Sequence, residues 1–336
     1  MEKDFTNKFK ENLFKINSLN YFKEQAILLF HYQAENNIVY KNYIKYLNIN
    51  IDKIINLEDI PFLPIEFFKY HKVISNIKEE DIELVFESSG TTGEITSKHL
   101  VKDLNFYKKV SENIFYNFYG KLDEYIFLAL LPSYLERENS SLVYMVDHFI
   151  KESKSTHSGF YLNDLEKLKE KLISLKNQHK KIVLIGVTFA LLDFAEQFSI
   201  DLEDIIIIET GGMKGRRKEM IREEVHQILQ EKLNVKNIHS EYGMTELLSQ
   251  AYSKGDGLFV TPNSMKVLIR DINDPFSYNN KNKSGGINII DLANVDSCSF
   301  IETKDIGYIE DSNQFKILGR LDNSDIRGCN LLINNF

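Results

Sequence analysis

The chain reads as an α/β protein, a largely parallel sheet flanked by helices with a smaller β subdomain appended. Three observations predict this. From about residue 181, fully apolar, β-branched runs alternate with helical segments, as in parallel strands buried on both faces. After about residue 255 the segments become shorter and β-like throughout. A Ser/Thr/Gly-rich turn, Glu87 to Gly93, directly follows the apolar-rich run 82–86, and in such sheets ligands bind beyond the carboxyl ends of strands.

Taken in order, residues 5–36 show helical periodicity through Phe9, Leu13, Ile16, Phe22, Ala26, Leu29 and Phe30. Asp59-Ile60-Pro61-Phe62-Leu63-Pro64 breaks the chain and leads an extended segment into a short helix. The run 82–86 predicts a strand, 105–118 a helix and 125–131 a buried strand. Residues 182–187, 205–208 and 235–239 predict three further strands, with helices over 188–198 and 216–233 between them. The segments 265–269, 286–290, 299–303, 307–309 and 315–318 predict the β subdomain, with an exposed turn over 279–286.

Bulk properties narrow the function classes. At 336 residues the chain is long enough for a sizeable core, and its 43% hydrophobic and 27% charged content is ordinary for a globular protein. A formal net charge of −8 leaves no electrostatic footprint for nucleic acid. Two cysteines, Cys298 and Cys329, suit a reducing compartment rather than a disulfide framework. The N-terminus is charged, and the longest apolar run, 182–192, is well short of the roughly 20 residues of a membrane span, so a cytoplasmic, soluble protein is expected.

The turn Ser88-Ser89-Gly90-Thr91-Thr92-Gly93, with Lys98 five residues on, has the chemistry of a phosphate cradle. Glycine permits close backbone approach, the hydroxyls and N–H groups meet phosphate oxygens, and the lysine adds charge. Its glycine spacing differs from the Gly-x4-Gly-Lys-Ser/Thr P-loop, and the same composition also suits an ordinary loop between a strand and a helix. Glu209-Thr210-Gly211-Gly212 is either a backbone wall for a ring or a tight turn. In the loop Ser240-Glu241-Tyr242-Gly243-Met244-Thr245-Glu246, which follows a strand, Tyr242 and Gly243 offer a face to a purine, Thr245 a hydroxyl to a phosphate and Glu246 a carboxylate to Mg2+. The alternative is a strand-to-helix turn with Thr245 and Glu246 in the helix's first turn. Asp305, read in a turn Thr303–Tyr308, suits ribose hydroxyls or merely the turn itself, and Arg320 belongs to a hinge or a charged hairpin. Cys329, beside Arg327, is either a nucleophile with a favoured thiolate or an inert thiol, and Cys298 reads as structural. No histidine pair has metal-ligand spacing.

The order of these motifs resembles that of the adenylate-forming superfamily from about residue 60 onward. Within it, Gly243-Met244-Thr245-Glu246-Leu247-Leu248-Ser249-Gln250-Ala251-Tyr252 and Gly319 to Cys329 are similar to the acyl-protein synthetase (LuxE) family, the fatty-acyl ligases of bacterial luminescence. The resemblance implies the N-terminal-domain fold of adenylate-forming enzymes. It divides the chain into an adenylation core with N-terminal helices (1–255), a β subdomain completing the nucleotide site (256–320) and a hinge remnant with tail (321–336). It implies ATP and Mg2+ as cofactors. Ser88 to Gly93 and Lys98 would hold the β- and γ-phosphates, and Gly211, Gly212 and Tyr242 would flank adenine. Thr245 would meet the α-phosphate, Glu246 the metal, Asp305 the ribose and Arg320 the ribose or a phosphate.

The implied reaction is attack of a carboxylic, fatty acid on the α-phosphorus, followed by transfer to a thiol. That thiol is Cys329, coenzyme A, or one on an acyl-carrier or acyl-reductase partner. Larger superfamily members carry a further swinging domain with a lysine. Here 14 residues follow Asp322 and none is lysine, so the swinging domain is expected to be missing. The segment 128–144, with Pro132, Ser133, Tyr134 and Arg137, is the candidate acyl-pocket wall. The rival functions are an ATP-independent acyltransferase using a preformed thioester and a non-catalytic nucleotide-binding scaffold.

Overall fold

The computed structural model describes residues 2–76, 78–89, 95–132, 139–176, 180–211, 220–279, 281–311 and 313–321. Three helices open the chain, α1 (Glu2–Leu13), α2 (Leu19–Asn36) and α3 (Ile38–Tyr46). The hydroxyl of Ser18 caps α2 by accepting Tyr21 N, and Asn37 Oδ1 caps α3 by accepting the N–H groups of Val39 and Tyr40. A short strand β1 (Leu63–Pro64) and a one-turn helix α4 (Phe67–Tyr70) follow. Next comes a hairpin of β2 (Leu84–Glu87) and β3 (Lys98–Val101), whose strands pair with each other as a separate two-stranded sheet.

The central part alternates: α5 (Leu104–Tyr119), β4 (Tyr125–Leu130), α6 (Ser141–Glu152), β5 (Gly159–Phe160), α7 (Leu165–Leu175), β6 (Lys181–Val187), α8 (Thr188–Gln197), β7 (Ile206–Thr210), α9 (Arg222–Leu233) and β8 (His239–Tyr242). Asp103, Ser140 and Asp164 cap α5, α6 and α7 through their side-chain oxygens. Every residue of β4 is buried, and so is β6 beyond its first residue, as the uninterrupted apolar runs require. The last part is β9 (Ala251–Ser253), β10 (Leu258–Val260), β11 (Met265–Arg270), β12 (Gly285–Asp291), β13 (Phe300–Asp311) and β14 (Gln314–Arg320).

Among the described residues, the large sheet runs β11-β12-β13-β14-β10-β9-β8-β7-β6-β4-β5, with β1 parallel to β13. Strands β5, β4, β6, β7 and β8 are mutually parallel, and pairing turns antiparallel from β8 through to β11. Helices cover the parallel half, and one apolar core runs through the described residues. Among them, no helix is long and apolar enough to cross a membrane.

Three sequence expectations are corrected. The strand expected over 235–239 begins only at His239. Helix α9 ends on Asn234 in the left-handed conformation, and Val235 N closes the turn by bonding Gln230 O, so 235–238 serve the helix exit. Ser240, Glu241 and Tyr242 are therefore strand residues, not loop. The turn expected over 303–308 is the middle of β13, which pairs with both β12 and β14 and absorbs the Asp-Ile-Gly sequence in a bulge at Ile306/Gly307. Finally, the Ser/Thr/Gly turn lies between two antiparallel strands rather than between a strand and a helix.

Candidate active site

The site is assembled from four chain segments whose polar residues meet at the carboxyl ends of β7 and β8 and beside β13 and β14. Ser88 leaves β2 with its hydroxyl accepting Ser97 N at 2.9 Å, while its own N–H donates to Ser97 O at 3.0 Å, so both ends of the turn are clamped. Ser89 is exposed. Gly90, Thr91, Thr92 and Gly93 lie outside the described residues, as do Gly212, Ser133 to Glu138 and Cys329. Lys98 opens β3, exposed, with Nζ 3.5 Å from Glu87 Oε1 across the hairpin.

Strand alternation sends the neighbours of Lys98 the other way. Ser97 and His99 are both buried, and both reach the Thr245–Glu246 turn. No helix follows that turn. Leu247 N closes it on Met244 O at 3.1 Å, and the chain continues to β9. The turn is held by buried polar groups from elsewhere. His99 Nδ1 bonds Thr245 O at 2.9 Å, and Asn294 Nδ2 donates to Glu246 O at 2.8 Å. Asp291, fully buried, accepts Leu248 N and Ser249 N at 2.9 Å and Ser249 Oγ at 2.7 Å. Burial raises the Glu246 carboxyl above the usual range, opposed by the Ser97 hydroxyl and by Arg320, while Asp305 pushes it further up. Glu246, Ser97, Asp305 and Arg320 thus share one electrostatic neighbourhood. Thr245 is half-buried beside them.

Tyr242 ends β8 with its ring against Phe259 and Phe315, at 5.9 and 5.7 Å between centroids. Its hydroxyl donates to Asp305 Oδ2 at 2.6 Å. Asp305 and Arg320 face each other in the β13–β14 register, with Arg320 Nε 4.0 Å from Asp305 Oδ1. Asp305 is thereby half-buried and Arg320 exposed at 62% of its side chain, free to meet an anion from solvent. Burial raises the Asp305 carboxyl, and the bond from Tyr242 and the charges of Arg320 and Arg222 oppose it.

Beneath this set lie two acids that sequence reasoning quoted but gave no role. Glu209 on β7 is buried and bound by Arg222 Nε at 3.0 Å and Thr188 Oγ1 at 2.9 Å. Burial alone would raise it, but His226, Arg222 and Ser240 outweigh that and hold it at about 2. On neighbouring β8, Glu241 bonds only Thr210's hydroxyl among the described residues, and burial together with Glu209 lifts it to about 7. A Cβ at Gly243 would lie 2.4 Å from Glu241 Oε1, so that carboxylate oxygen would have to shift to admit any other residue there. Gly211 turns the chain after β7 with φ +75°, its carbonyl accepting Thr188 Oγ1 at 3.3 Å.

Among the described residues, Tyr242, Asp305 and Arg320 thus meet directly, Glu246 shares their electrostatic neighbourhood, and Ser88 reaches it through Ser97, whereas Lys98 lies on the opposite face of the hairpin and Gly211 bonds only Thr188. Cys298 stands apart, fully buried, with its thiol pushed up to about 12 by burial, an environment that disfavours the thiolate. Sequence reasoning missed Ser97, His99, Asp291, Asn294 and Ser297. For Asp291, Asn294 and Ser297 the one signal is the segment Asp291 to Ser299, where small polar residues interrupt the apolar character at the end of an apolar strand; Ser97 and His99 carry none.

This fold is that of adenylate-forming enzymes. A 2-hydroxyisobutyryl-CoA ligase, solved with 2-HIB-AMP and CoA in its thioesterification state, superposes with a TM-score of 0.68 at 12% identity, over 90% of this chain and 68% of that one. The open conformation of the same ligase gives 0.65 at 11% identity, over 90% and 69%. ATP-bound MatB from Rhodopseudomonas palustris gives 0.53 at 16% identity, over 73% of this chain and 49% of that one. The chain thus spans about half the length of the MatB structures it matches. No curated protein matches it in sequence. The family model described as "Acyl-protein synthetase, LuxE" matches residues 4–336, and the chain belongs to that family.

Proposed function

We propose that this protein is an adenylate-forming ligase that uses ATP to activate a carboxylic acid, a fatty acid by family likeness, and then passes the acyl group to a thiol. One observation carries the proposal. An exposed arginine, a half-buried aspartate fixed by a tyrosine hydroxyl, and a Thr-Glu turn held from three sides share one electrostatic neighbourhood at strand ends.

In the first half-reaction a carboxylate oxygen of the acid attacks the α-phosphorus. The bond from that phosphorus to the bridging oxygen breaks, and pyrophosphate leaves. The backbone and hydroxyls of Ser88, Ser89, Gly90, Thr91, Thr92 and Gly93, with Lys98, would hold the departing phosphates. Thr245 would donate to the α-phosphate, and Arg320 would neutralise charge there or at the ribose. Asp305 would take the ribose hydroxyls on the carboxylate that Tyr242 already orients. Gly211, Gly212, Tyr242 and Gly243 would form the walls of the base site. The chemistry asked of the protein is positioning and charge stabilisation.

Glu246 suits Mg2+, which binds through one or two carboxylates plus substrate phosphates. It is a buried carboxyl whose cost of ionisation, raised further by Asp305, a cation would offset. Bound there, Mg2+ would supply charge neutralisation at the phosphates. In the second half-reaction a thiolate attacks the acyl carbon, AMP leaves with the electron pair, and a thioester remains. The acceptor is Cys329 or the thiol of coenzyme A, an acyl carrier or a reductase.

Acid-dependent ATP–pyrophosphate exchange across fatty, aryl and hydroxy acids tests the first half-reaction. Exchange with at least one fatty acid is expected, and none with any acid would overturn adenylation. Radiolabelled acid then tests the acceptor. Label bound as thioester should be lost in Cys329→Ser, and equal label in both proteins removes Cys329 from the mechanism.

A further inference from the structure

His99 lies one residue beyond Lys98, only 2% exposed, with both ring nitrogens engaged. Nδ1 is 2.9 Å from Thr245 O and Nε2 is 3.0 Å from Ser297 Oγ. A carbonyl oxygen has no proton to give, so Nδ1 carries the hydrogen and Nε2 accepts the Ser297 hydroxyl. The partners therefore select one neutral tautomer. Burial holds the imidazole neutral, moving it down to about 4, with the Thr245 bond opposing. Phe68 packs edge-on against the ring at 5.8 Å.

Ser297 is itself immobilised. Its carbonyl accepts Asn37 Nδ2 at 3.0 Å and Ser75 Oγ at 2.7 Å. The same loop contributes Asn294 to Glu246 O. Two successive carbonyls, of Thr245 and Glu246, are thus held by two different elements, the hairpin and the loop 291–299. Of these, the His99 bond alone ties the hairpin's strand β3 to the backbone of the turn among the bonds described.

We propose that His99 is a positioning residue that registers the hairpin bearing Ser88 and Lys98 against the Thr245–Glu246 turn. The groups gripping the leaving phosphates then keep a set distance from those meeting the α-phosphate. The proposal rests on the adenylation reading above. A misplacement of about 1 Å in such a constellation costs on the order of 100-fold in rate.

Three substitutions separate the two bonds. His99→Asn places an amide nitrogen near Nδ1 and keeps the bond to Thr245. His99→Gln reaches the Nε2 side, keeps Ser297 and gives up Thr245. His99→Phe keeps the ring and gives up both. In pyrophosphate exchange, kcat is expected to fall about 10- to 100-fold in the Gln and Phe variants, with KM for the acid unchanged and the Asn variant recovering most of the rate. Melting temperatures of the Asn and Gln variants should drop alike. Equal kcat in the Asn and Gln variants, or rates that merely follow melting temperature, would overturn the proposal. If wild type exchanges with no acid, adenylation fails instead. Amide hydrogen exchange of residues 243–249 then decides the role of His99, with protection expected in wild type and His99→Asn and lost in His99→Gln; equal protection in the two variants would refute it.

Discussion

The hydroxyl of Tyr242 and the carboxylate of Asp305 come from positions 63 apart in the chain and meet at 2.6 Å. The bond orients one carboxylate oxygen and leaves the other, 4.0 Å from Arg320, open to a ligand. Tyr242→Phe keeps the ring among Phe259 and Phe315 but leaves Asp305 Oδ2 short of its donor. A buried acceptor without a partner costs about 1–3 kcal/mol. Urea unfolding should therefore show Tyr242→Phe destabilised by about 1–2 kcal/mol. The KM for ATP should rise with little change in KM for the acid. Unaltered stability and KM would mean the hydroxyl does not orient Asp305.

At the scale of elements, β7 and β8 carry two buried acids that titrate in opposite directions. Glu209 is held at about 2 against an ordinary 4.5, so its stabilisation is present above about pH 4.5 and is lost as pH falls toward 2. Glu241 is lifted from 4.5 to about 7. Between those values the unfolded chain has released its proton while the folded chain keeps it, so stability falls as pH rises through the window. Glu241→Gln keeps a partner for Thr210 and removes this titration. Relative to wild type the variant should gain up to about 3 kcal/mol between pH 5 and pH 8, read from unfolding at each pH. A difference that stays flat across that range would show that Glu241 is ionised in the folded protein throughout.

Across the whole molecule, the N-terminal helices hold the loop that holds the site. Gln33 Nε2 donates to Asn294 O at 2.9 Å and lies 3.3 Å from Val295 O and Ser299 Oγ, while its Oε1 accepts Ser299 N at 2.9 Å. Lys10 on α1 joins Asp103 and Asp296 at 3.0 and 2.6 Å. The loop passes this support on through Asn294 to Glu246, Ser297 to His99 and Asp291 to Ser249. Gln33→Leu leaves several buried polar groups unpaired and should cost about 2–4 kcal/mol in denaturant unfolding. Pyrophosphate exchange should fall too, although residue 33 touches no part of the site. Full exchange activity in a destabilised variant would show that the loop keeps its shape without α2.

The α/β alternation was legible in the residues themselves, since β4, β6 and the 206–208 run of β7 are almost wholly apolar and buried, and a run of that kind has few other places to go. Also legible was the order of the motifs proposed to hold a nucleotide, because glycines, hydroxyls and paired charges at loop positions are local signals. It took long-range pairing to make Thr303 to Gly307 continue as strand through a bulge, to start β8 at His239, and to turn Ser97 and His99 toward the Thr245–Glu246 turn. Each depends on partners far along the chain, 146 residues away for His99 and Thr245 and 266 for Gln33 and Ser299. A hydrogen bond is short-ranged and directional, and a polar side chain carries no mark of the distant group it will meet. The pairing that gives those buried residues their role exists only once the sheet has brought both ends together.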